Sequence, residues 1–180
     1  MNDKIITYDD LPGVRSQVTE SGGTIVFVPG VWDNQHSGHV DHLWNGKHLF
    51  AKNAFVVAAV GSDRITEEDK GVDRPSIHET DRAEFIADIP FVDRVVVCTE
   101  DGTGGRTCEK LVEALQPDIY LIAVDDVRTL DTNPPPYFQE KKKVCDKYGV
   151  TLIAYNREPP VGEAKGFSTT HLLGLDRMAA

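Results

Sequence analysis

Residues 24–40 decide how this chain folds, and they read Thr24-Ile25-Val26-Phe27-Val28-Pro29-Gly30-Val31-Trp32-Asp33-Asn34-Gln35-His36-Ser37-Gly38-His39-Val40. The run 24–28 is apolar after its first residue, as expected of a central strand covered on both faces of a parallel sheet. A glycine-bearing turn follows, and apolar residues then recur at helical spacing as far as residue 50. The segment therefore predicts a strand, a turn and a helix, with His36 and His39 near the start of the helix.

This turn has the chemistry of an anion site. Backbone N–H groups point outward at a helix N-terminus, and imidazoles can donate hydrogen bonds to phosphate oxygens. Gly38, between the two histidines, lets the backbone approach a phosphate closely. Ligands of parallel α/β sheets bind outside the carboxyl ends of the strands, where the strand order reverses. An H-x-G-H spacing at a strand-to-helix turn therefore predicts a triphosphate site at His36 and His39.

The rest of the chain repeats the alternation of strand and helix. We expect strands over 24–28, 54–60, 93–98, 119–124 and 150–155, and helices over 10–20, 38–50, 81–89, 106–115 and 136–148, with a last helix from Ser168. Residues 61–80 are polar and rich in glycine and proline, so we expect a loop there. This order predicts an α/β fold, a single Rossmann-like domain over residues 1–180 with a five-stranded parallel sheet and helices on both faces.

Composition limits the partners. The chain has 180 residues, 40% of them hydrophobic, and a formal charge of −10, so we expect no nucleic-acid or anionic membrane partner. An anionic small substrate requires that the basic residues gather in one cleft. The three cysteines show no C-x-x-C pair, and no apolar run resembles a signal or a membrane span, so we expect a cytoplasmic protein with reduced thiols. We assign no metal site to the histidines, and we expect a homodimer.

The segment 30–39 resembles a known signature. Gly30-Val31-Trp32-Asp33 followed by His36-Ser37-Gly38-His39 is similar to the G-x-F-D-x-x-H-x-G-H of cytidylyltransferase-like nucleotidyltransferases, with Trp32 in place of phenylalanine. The similarity to bacterial D-glycero-β-D-manno-heptose 1-phosphate adenylyltransferases covers nearly the whole chain. It includes Lys4-Ile5-Ile6, Ser62-Asp63, Lys70-Gly71, Arg74-Pro75, Arg82, Val92-Asp93-Arg94-Val95-Val96, the run 111–118 and Gly166-Phe167-Ser168-Thr169-Thr170.

The resemblance implies a reaction and a set of site residues. AMP would pass from ATP to a phosphorylated sugar or related small molecule, with pyrophosphate released and Mg²⁺ bound alongside the nucleotide. His36, His39 and Lys47 would be catalytic; Lys47 lies about two helical turns past His39 and so near the same face. The expected nucleotide-binding residues are Gly30, Val31, Trp32, Asp33, Gly38, Arg74, Arg82, Asp125, Ser168, Thr169 and Thr170.

One segment departs from the resemblance and leaves alternatives open. The related heptose enzymes carry V-x-V-K-G-G-D-Y after Pro-Asp, whereas residues 119–126 keep Asp125 but lack the lysine and both glycines. A cytidylyltransferase that uses CTP and glycerol 3-phosphate, or another polyol or amino-alcohol phosphate, therefore stays open. So does a nucleotide-binding module that has lost catalysis.

Several site residues also have a purely structural interpretation. Asp33 could form a turn, Lys47 could be solvated, and the residues 168–170 could only cap a helix. Arg74 and Arg82 could form surface salt bridges. We interpret residues 141–143, three consecutive lysines, as a solvated helix face.

Overall fold

A computed structural model describes residues 2–100 and 106–157 of the chain. It contains a parallel sheet of six strands in the order β1-β4-β3-β2-β5-β6. The strands are β1 (Ile5–Ile6), β2 (Thr24–Gly30), β3 (Ala54–Gly61), β4 (Arg94–Cys98), β5 (Ile119–Val124) and β6 (Thr151–Asn156). The predicted α/β class is confirmed. The sheet has one strand more than predicted because β1 is only two residues long, too short for a sequence period, and forms by pairing with β4.

Helices alternate with the strands as expected. They are α1 (Leu11–Glu20), α2 (Ser37–His48), α3 (Asp63–Lys70), α4 (Glu79–Ala87), α5 (Glu109–Leu115), α6 (Thr129–Thr132) and α7 (Pro136–Tyr148), with a 3₁₀ turn at Tyr8–Asp10. The predicted loop at 61–80 is wrong, because α3 lies inside it. The mostly charged sequence of α3 hides its period, and only Ile65 and Thr66 are buried. The helix expected from Ser168 lies outside the described residues.

Two core layers sandwich the sheet, because side chains alternate between its faces along each strand. On one side, which we call the α7 face, Phe27 packs with residues of α1, α5 and α7. On the other side, the α2 face, Val26 and Val28 pack with residues of α2 and α4. Within the described part of the chain, no helix is long and apolar enough to cross a bilayer.

The order of the strands places a crevice beside β2. The chain passes from β2 to β3 and β4 on one side, then returns to the other side of β2 for β5 and β6. Helices that leave β2 and β5 therefore diverge at the carboxyl ends of these strands. Ligands of such sheets bind at this reversal of strand order.

Candidate active site

The predicted histidine pair lies at that reversal. His36 is the N-cap of α2 in extended conformation, and the His39 amide donates to the His36 carbonyl at 2.9 Å. The two imidazole rings stack, with centroids 3.9 Å apart and an angle of 24° between the planes. Gly38 lies in the same first helical turn. The turn therefore brings two imidazoles and the amides of a helix N-terminus to one point at the end of β2.

Trp32 forms the floor of this turn. Its indole N–H donates to the Ala59 carbonyl at 2.8 Å, and its ring meets His39 edge-on at 5.3 Å. The buried indole also needs Gly30, because a Cβ there would lie 2.7 Å from Cε2 of Trp32. Trp32 itself has a φ of 60°, a left-handed conformation that its packing must hold. Gly30 and Trp32 thus shape the turn from below.

Burial keeps the histidines neutral. It lowers the pKa of His39 to about 3, with smaller contributions from the charges of His36, His42 and Arg157. Burial and then the Arg157 charge also lower the pKa of His36. The pKa of His42, whose Nδ1 lies 2.7 Å from the Tyr155 hydroxyl, is lowered to about 3 for the same reasons. At neutral pH, His36 and His39 therefore each present one N–H donor and one acceptor nitrogen.

Asp33 is an anchor for a neighbouring loop. Its buried carboxylate accepts from Arg74 Nε at 3.1 Å, from the Ser76 amide at 3.1 Å and from the Ile77 amide at 3.2 Å. Both carboxylate oxygens therefore hold the segment 74–77 against the turn. The sequence-based role of Asp33 as a nucleotide or metal contact is replaced by this internal one.

Arg82 does not face a ligand. The side chain is fully buried, and its guanidinium donates to the Ile77 carbonyl at 2.8 Å, to Asp63 Oδ1 at 2.6 Å and to the Val31 carbonyl. The prediction that Arg82 binds phosphate is wrong, because these contacts turn its charge inward. Arg74 is also largely buried, with 11% of its side chain exposed beside Asp33.

Lys47 lies at the opposite edge of the sheet from the histidines. Its ammonium is 2.6 Å from Asp93 Oδ2, and the same oxygen accepts from the Val56 amide at 2.7 Å. Asp93 directly precedes β4, so this ion pair lies at the amino ends of the strands. Helix α2 descends along the sheet, and eight residues of helix carry Lys47 about 12 Å below His39. The prediction that Lys47 acts with the histidines is therefore wrong.

The remaining predicted residues divide into two groups. Asp125 follows β5 at the carboxyl edge, and its side chain is 89% exposed with Oδ1 3.5 Å from Arg157 Nη1. The structure thus brings Asp125 to the crevice. Ser168, Thr169 and Thr170 lie outside the described residues, so their roles stay predictions.

A cavity of about 580 Å³ opens on the α7 face, across the carboxyl ends of β2, β3 and β5. Four basic side chains and one carboxylate line it: Lys70, Arg106, Lys141, Arg157 and Asp69. The chain as a whole carries a charge of −10, so this excess of cations is local. The basic residues required for an anionic substrate are gathered here.

None of these four cations is among the predicted site residues, although the sequence carries a signal for two of them. Lys141 donates from Nζ to the Arg106 carbonyl at 2.6 Å and to the Tyr120 hydroxyl at 3.0 Å, and burial lowers its pKa. It lies on the apolar stripe of α7, three residues after Phe138, so the interpretation of 141–143 as wholly solvated is wrong for Lys141. Arg157 directly follows β6. It therefore lies at the carboxyl end of a strand, where ligand contacts are expected.

The part of the chain that the structure describes contains no cluster of three or more His, Cys, Asp or Glu side chains suited to a metal ion. Mg²⁺ prefers oxygen ligands and commonly reaches proteins on substrate phosphates with few protein ligands. Asp33 is engaged with the loop 74–77, whereas Asp125 is exposed at the crevice. These residues fit a metal ion that enters with a nucleotide and contacts the chain at few points.

Two neutral imidazoles lie at a helix N-terminus, and a cationic cavity lies beside them where the strand order reverses. This combination defines an α/β domain suited to phosphate-bearing ligands. The chain belongs to the cytidylyltransferase-like family, whose model matches residues 27–172. The resemblance found in the sequence is thereby confirmed.

Curated relatives agree with this assignment. The chain is 37% identical to Bifunctional protein HldE of Campylobacter fetus over 122 residues, which cover 68% of this chain and 24% of that protein. It is 33% identical to Bifunctional protein HldE of Methylobacillus flagellatus over 117 residues, 65% of this chain and 22% of the relative. The match to the protein of the same name from Geotalea uraniireducens is 29% over 175 residues, 94% of this chain and 30% of the relative. The chain thus spans less than a third of the relatives that it matches.

Proposed function

We propose that the protein is a nucleotidyltransferase that transfers AMP from ATP to a phosphorylated sugar or related small molecule and releases pyrophosphate. The stacked, neutral pair of His36 and His39 at the N-terminus of α2 is the observation that carries this proposal. Membership of the cytidylyltransferase-like family supports nucleotidyl transfer. The resemblance of the sequence to bacterial heptose 1-phosphate adenylyltransferases favours a phosphorylated sugar as the acceptor.

The reaction exchanges one bond to phosphorus for another. A phosphate oxygen of the acceptor attacks the α-phosphorus of the nucleotide, the bond to the oxygen that bridges to the β-phosphorus breaks, and pyrophosphate leaves with that electron pair. No covalent intermediate with the protein is needed, so the chain acts by positioning and by stabilising charge.

The histidine turn would stabilise the charge on the leaving group. The first amides of α2 and the N–H groups of His36 and His39 would donate hydrogen bonds to the triphosphate oxygens. These hydrogen bonds would strengthen as negative charge builds on the leaving pyrophosphate. A bound triphosphate would also raise the pKa of both imidazoles, which burial lowers before binding. Losing one such donor typically costs about 3 kcal/mol of transition-state stabilisation.

Other contacts belong to the same proposal. Mg²⁺ would enter with the nucleotide and neutralise phosphate charge. The hydroxyls of Ser168, Thr169 and Thr170 would bind the β- and γ-phosphates, and Asp125 would contact the nucleotide from the end of β5.

A pyrophosphate-release assay tests the proposal. The protein is incubated with Mg²⁺ and each of the four NTPs against a panel of sugar 1-phosphates and polyol phosphates. We expect release with ATP and a sugar phosphate, and a loss of at least 100-fold in His36→Ala and His39→Ala. His48→Ala is the matched control, because His48 is an exposed histidine at the other end of the same helix. Equal turnover in all three variants would refute the role of the histidine turn.

Two other outcomes would redirect the assignment. Turnover with CTP and a polyol phosphate, but none with ATP, would make the protein a cytidylyltransferase. A nucleotide-binding module without catalysis is favoured by the residues 119–126, which lack the lysine and glycines of the related heptose enzymes. In that case an NTP would raise the melting temperature while no acceptor yields pyrophosphate.

A further inference from the structure

We propose that the cavity on the α7 face binds the phosphate group of the acceptor and that Lys141 is its principal contact. The acceptor is then a small phosphate monoester, bound beside the histidine turn at the carboxyl ends of β2, β3 and β5. This inference rests on the proposed function, because only nucleotidyl transfer makes the bound anion an acceptor.

Lys141 is built into the cavity wall. Its Nζ donates to the Arg106 carbonyl at 2.6 Å and to the Tyr120 hydroxyl at 3.0 Å, and it lies 5.4 Å from the centre of the Tyr120 ring. An ammonium group has three N–H donors. Two are directed to protein oxygens in the described part of the chain, which leaves one for a ligand. A lysine held in this way is fixed before a ligand arrives.

The other cavity cations lie in direct ion pairs with carboxylates, whereas Lys141 donates to uncharged groups in the described part of the chain. The Asp69 carboxylate is 3.3 Å from Lys70 Nζ and 3.7 Å from Arg106 Nε. Asp125 is 3.5 Å from Arg157. The hydrogen-bond acceptors of Lys141 are the Arg106 carbonyl and the Tyr120 hydroxyl, which carry no negative charge. Lys141 therefore offers the cavity an ammonium group that no direct ion pair occupies among the described residues.

The position of the cavity suits the attacking group. In-line displacement requires the nucleophile and the leaving group on opposite sides of the phosphorus atom. His39 contacts Trp32, which belongs to the core of the α2 face, whereas Cys108 and Ile65 in the cavity wall belong to the core of the α7 face. With pyrophosphate at the histidines, the adjoining cationic cavity is the space in which the attacking phosphate would lie.

The volume and shape of the cavity limit the acceptor. About 580 Å³ is in the usual range for a small-molecule site. The N-terminal turn of α7 contributes Pro136 and Tyr137 to the wall, so the positive end of that helix also faces the cavity. A compact phosphate ester fits this combination of volume and charge.

Steady-state kinetics of three variants test the role of Lys141. The acceptor is the one found by the pyrophosphate-release screen. Lys141→Gln removes the charge, Lys141→Arg keeps it, and Lys142→Gln is the neighbouring control, an exposed lysine paired with Asp146. We expect Lys141→Gln to raise KM for the acceptor 10- to 100-fold while KM for the NTP changes less than twofold. Lys141→Arg should recover part of the loss, and Lys142→Gln should match the wild type.

A binding measurement makes the inference independent of turnover. Inorganic phosphate and glycerol 3-phosphate are titrated calorimetrically into wild-type protein, Lys141→Gln and Arg106→Gln. Arg106→Gln removes a second cavity cation, and Arg106 lies at the protein surface. This variant can therefore test phosphate binding in the cavity if Lys141→Gln does not fold. Phosphate binding that weakens in these variants, and not in Lys142→Gln, supports the site even if no pyrophosphate is ever released.

The outcomes separate the two proposals. Turnover with an unchanged acceptor KM in folded Lys141→Gln would overturn this inference and leave nucleotidyl transfer standing. Lys141-dependent phosphate binding without turnover would support the anion site and refute the enzyme. A rise in the NTP KM alone would assign the cavity to the nucleotide and overturn the inference, and absence of both binding and turnover would refute both proposals.

Discussion

Two groups of charged residues lie at the carboxyl edge of the sheet, and they use their charges differently. In the first, which we call the anchor network, Asp33, Asp63, Arg74 and Arg82 bind one another and nearby backbone groups. In the second, the cavity cations Lys70, Arg106, Lys141 and Arg157 line an open space. Charged residues of the first group hold the site together, and those of the second remain able to bind a ligand.

The difference shows that the chemical type of a residue near a site does not fix its role. Arg82 and Arg157 carry the same guanidinium group, yet Arg82 is fully buried and 31% of the Arg157 side chain is exposed. A buried arginine is stable only when its donors are satisfied within the protein. Substitutions in the anchor network should therefore lower the stability of the fold. Substitutions of the cavity cations should mainly weaken ligand binding.

The largest expected effect is on Arg82. Arg82→Met should lower the free energy of unfolding by about 3 to 5 kcal/mol, because Asp63 and two carbonyl oxygens lose their buried donor. Urea denaturation measures the change. Arg106→Gln is the matched control from the cavity cations and should cost about 0.5 kcal/mol or less. Equal losses in the two variants would remove the distinction between the groups.

A smaller loss is expected at Asp33. Asp33→Asn should cost about 1 to 3 kcal/mol, because the amide oxygen cannot replace both carboxylate oxygens that hold the segment 74–77. Hydrogen exchange should become faster in that segment, as followed by mass spectrometry. Asp41→Asn, at an exposed position on α2, controls for the loss of one negative charge. Unchanged protection in 74–77 would contradict the anchor role.

Acid should weaken the histidine turn in a defined pH range. An unfolded histidine has a pKa of about 6.5, whereas that of His39 is lowered to about 3 in the fold. The unfolded chain therefore binds more protons between these values, and the free energy of unfolding falls as pH drops from about 6.5 towards 3. Between pH 7.5 and pH 5, the free energy of unfolding should fall in both the wild type and His39→Gln. The fall should be about 1 to 2 kcal/mol smaller in His39→Gln, which lacks this imidazole.

Denaturation curves at the two pH values test this sign. The exposed His48 provides the matched control, and His48→Gln should follow the wild-type pH dependence. A wild-type protein that is more stable at pH 5 than at pH 7.5 would contradict the neutral state of the pair.

The smallest expected effect is at Lys47. Lys47→Met should cost about 1 kcal/mol, because its partly exposed ion pair with Asp93 is lost while the Val56 amide still binds that carboxylate. Turnover in the pyrophosphate assay should stay within twofold of wild type. A loss of turnover comparable to that of His39→Ala would restore Lys47 to the catalytic site.

The sequence was sufficient to predict an element or a site where the pattern that indicates it lies within one continuous segment. The strand β2, its turn and the start of α2 lie within residues 24–40, so their order alone brought His36 and His39 to a strand end. The sequence was insufficient for α3, whose mostly charged composition conceals a short helix with few buried residues. It also failed for Lys47, because spacing along a helix gives the face of a residue but not its depth along the sheet.

The parallel α/β architecture and the histidine turn follow from local sequence patterns, because apolar periodicity and strand–turn–helix order extend over a few neighbouring residues. Which charged side chains are available to a ligand depends instead on how the chain folds. Arg106, Lys141 and Arg157 come from α7 and from segments beside α5 and β6, and they meet because the sheet reverses its strand order at β2. Likewise, Asp33 and Arg82 became anchors because folding buries them, and a buried charge must find its partners inside the protein.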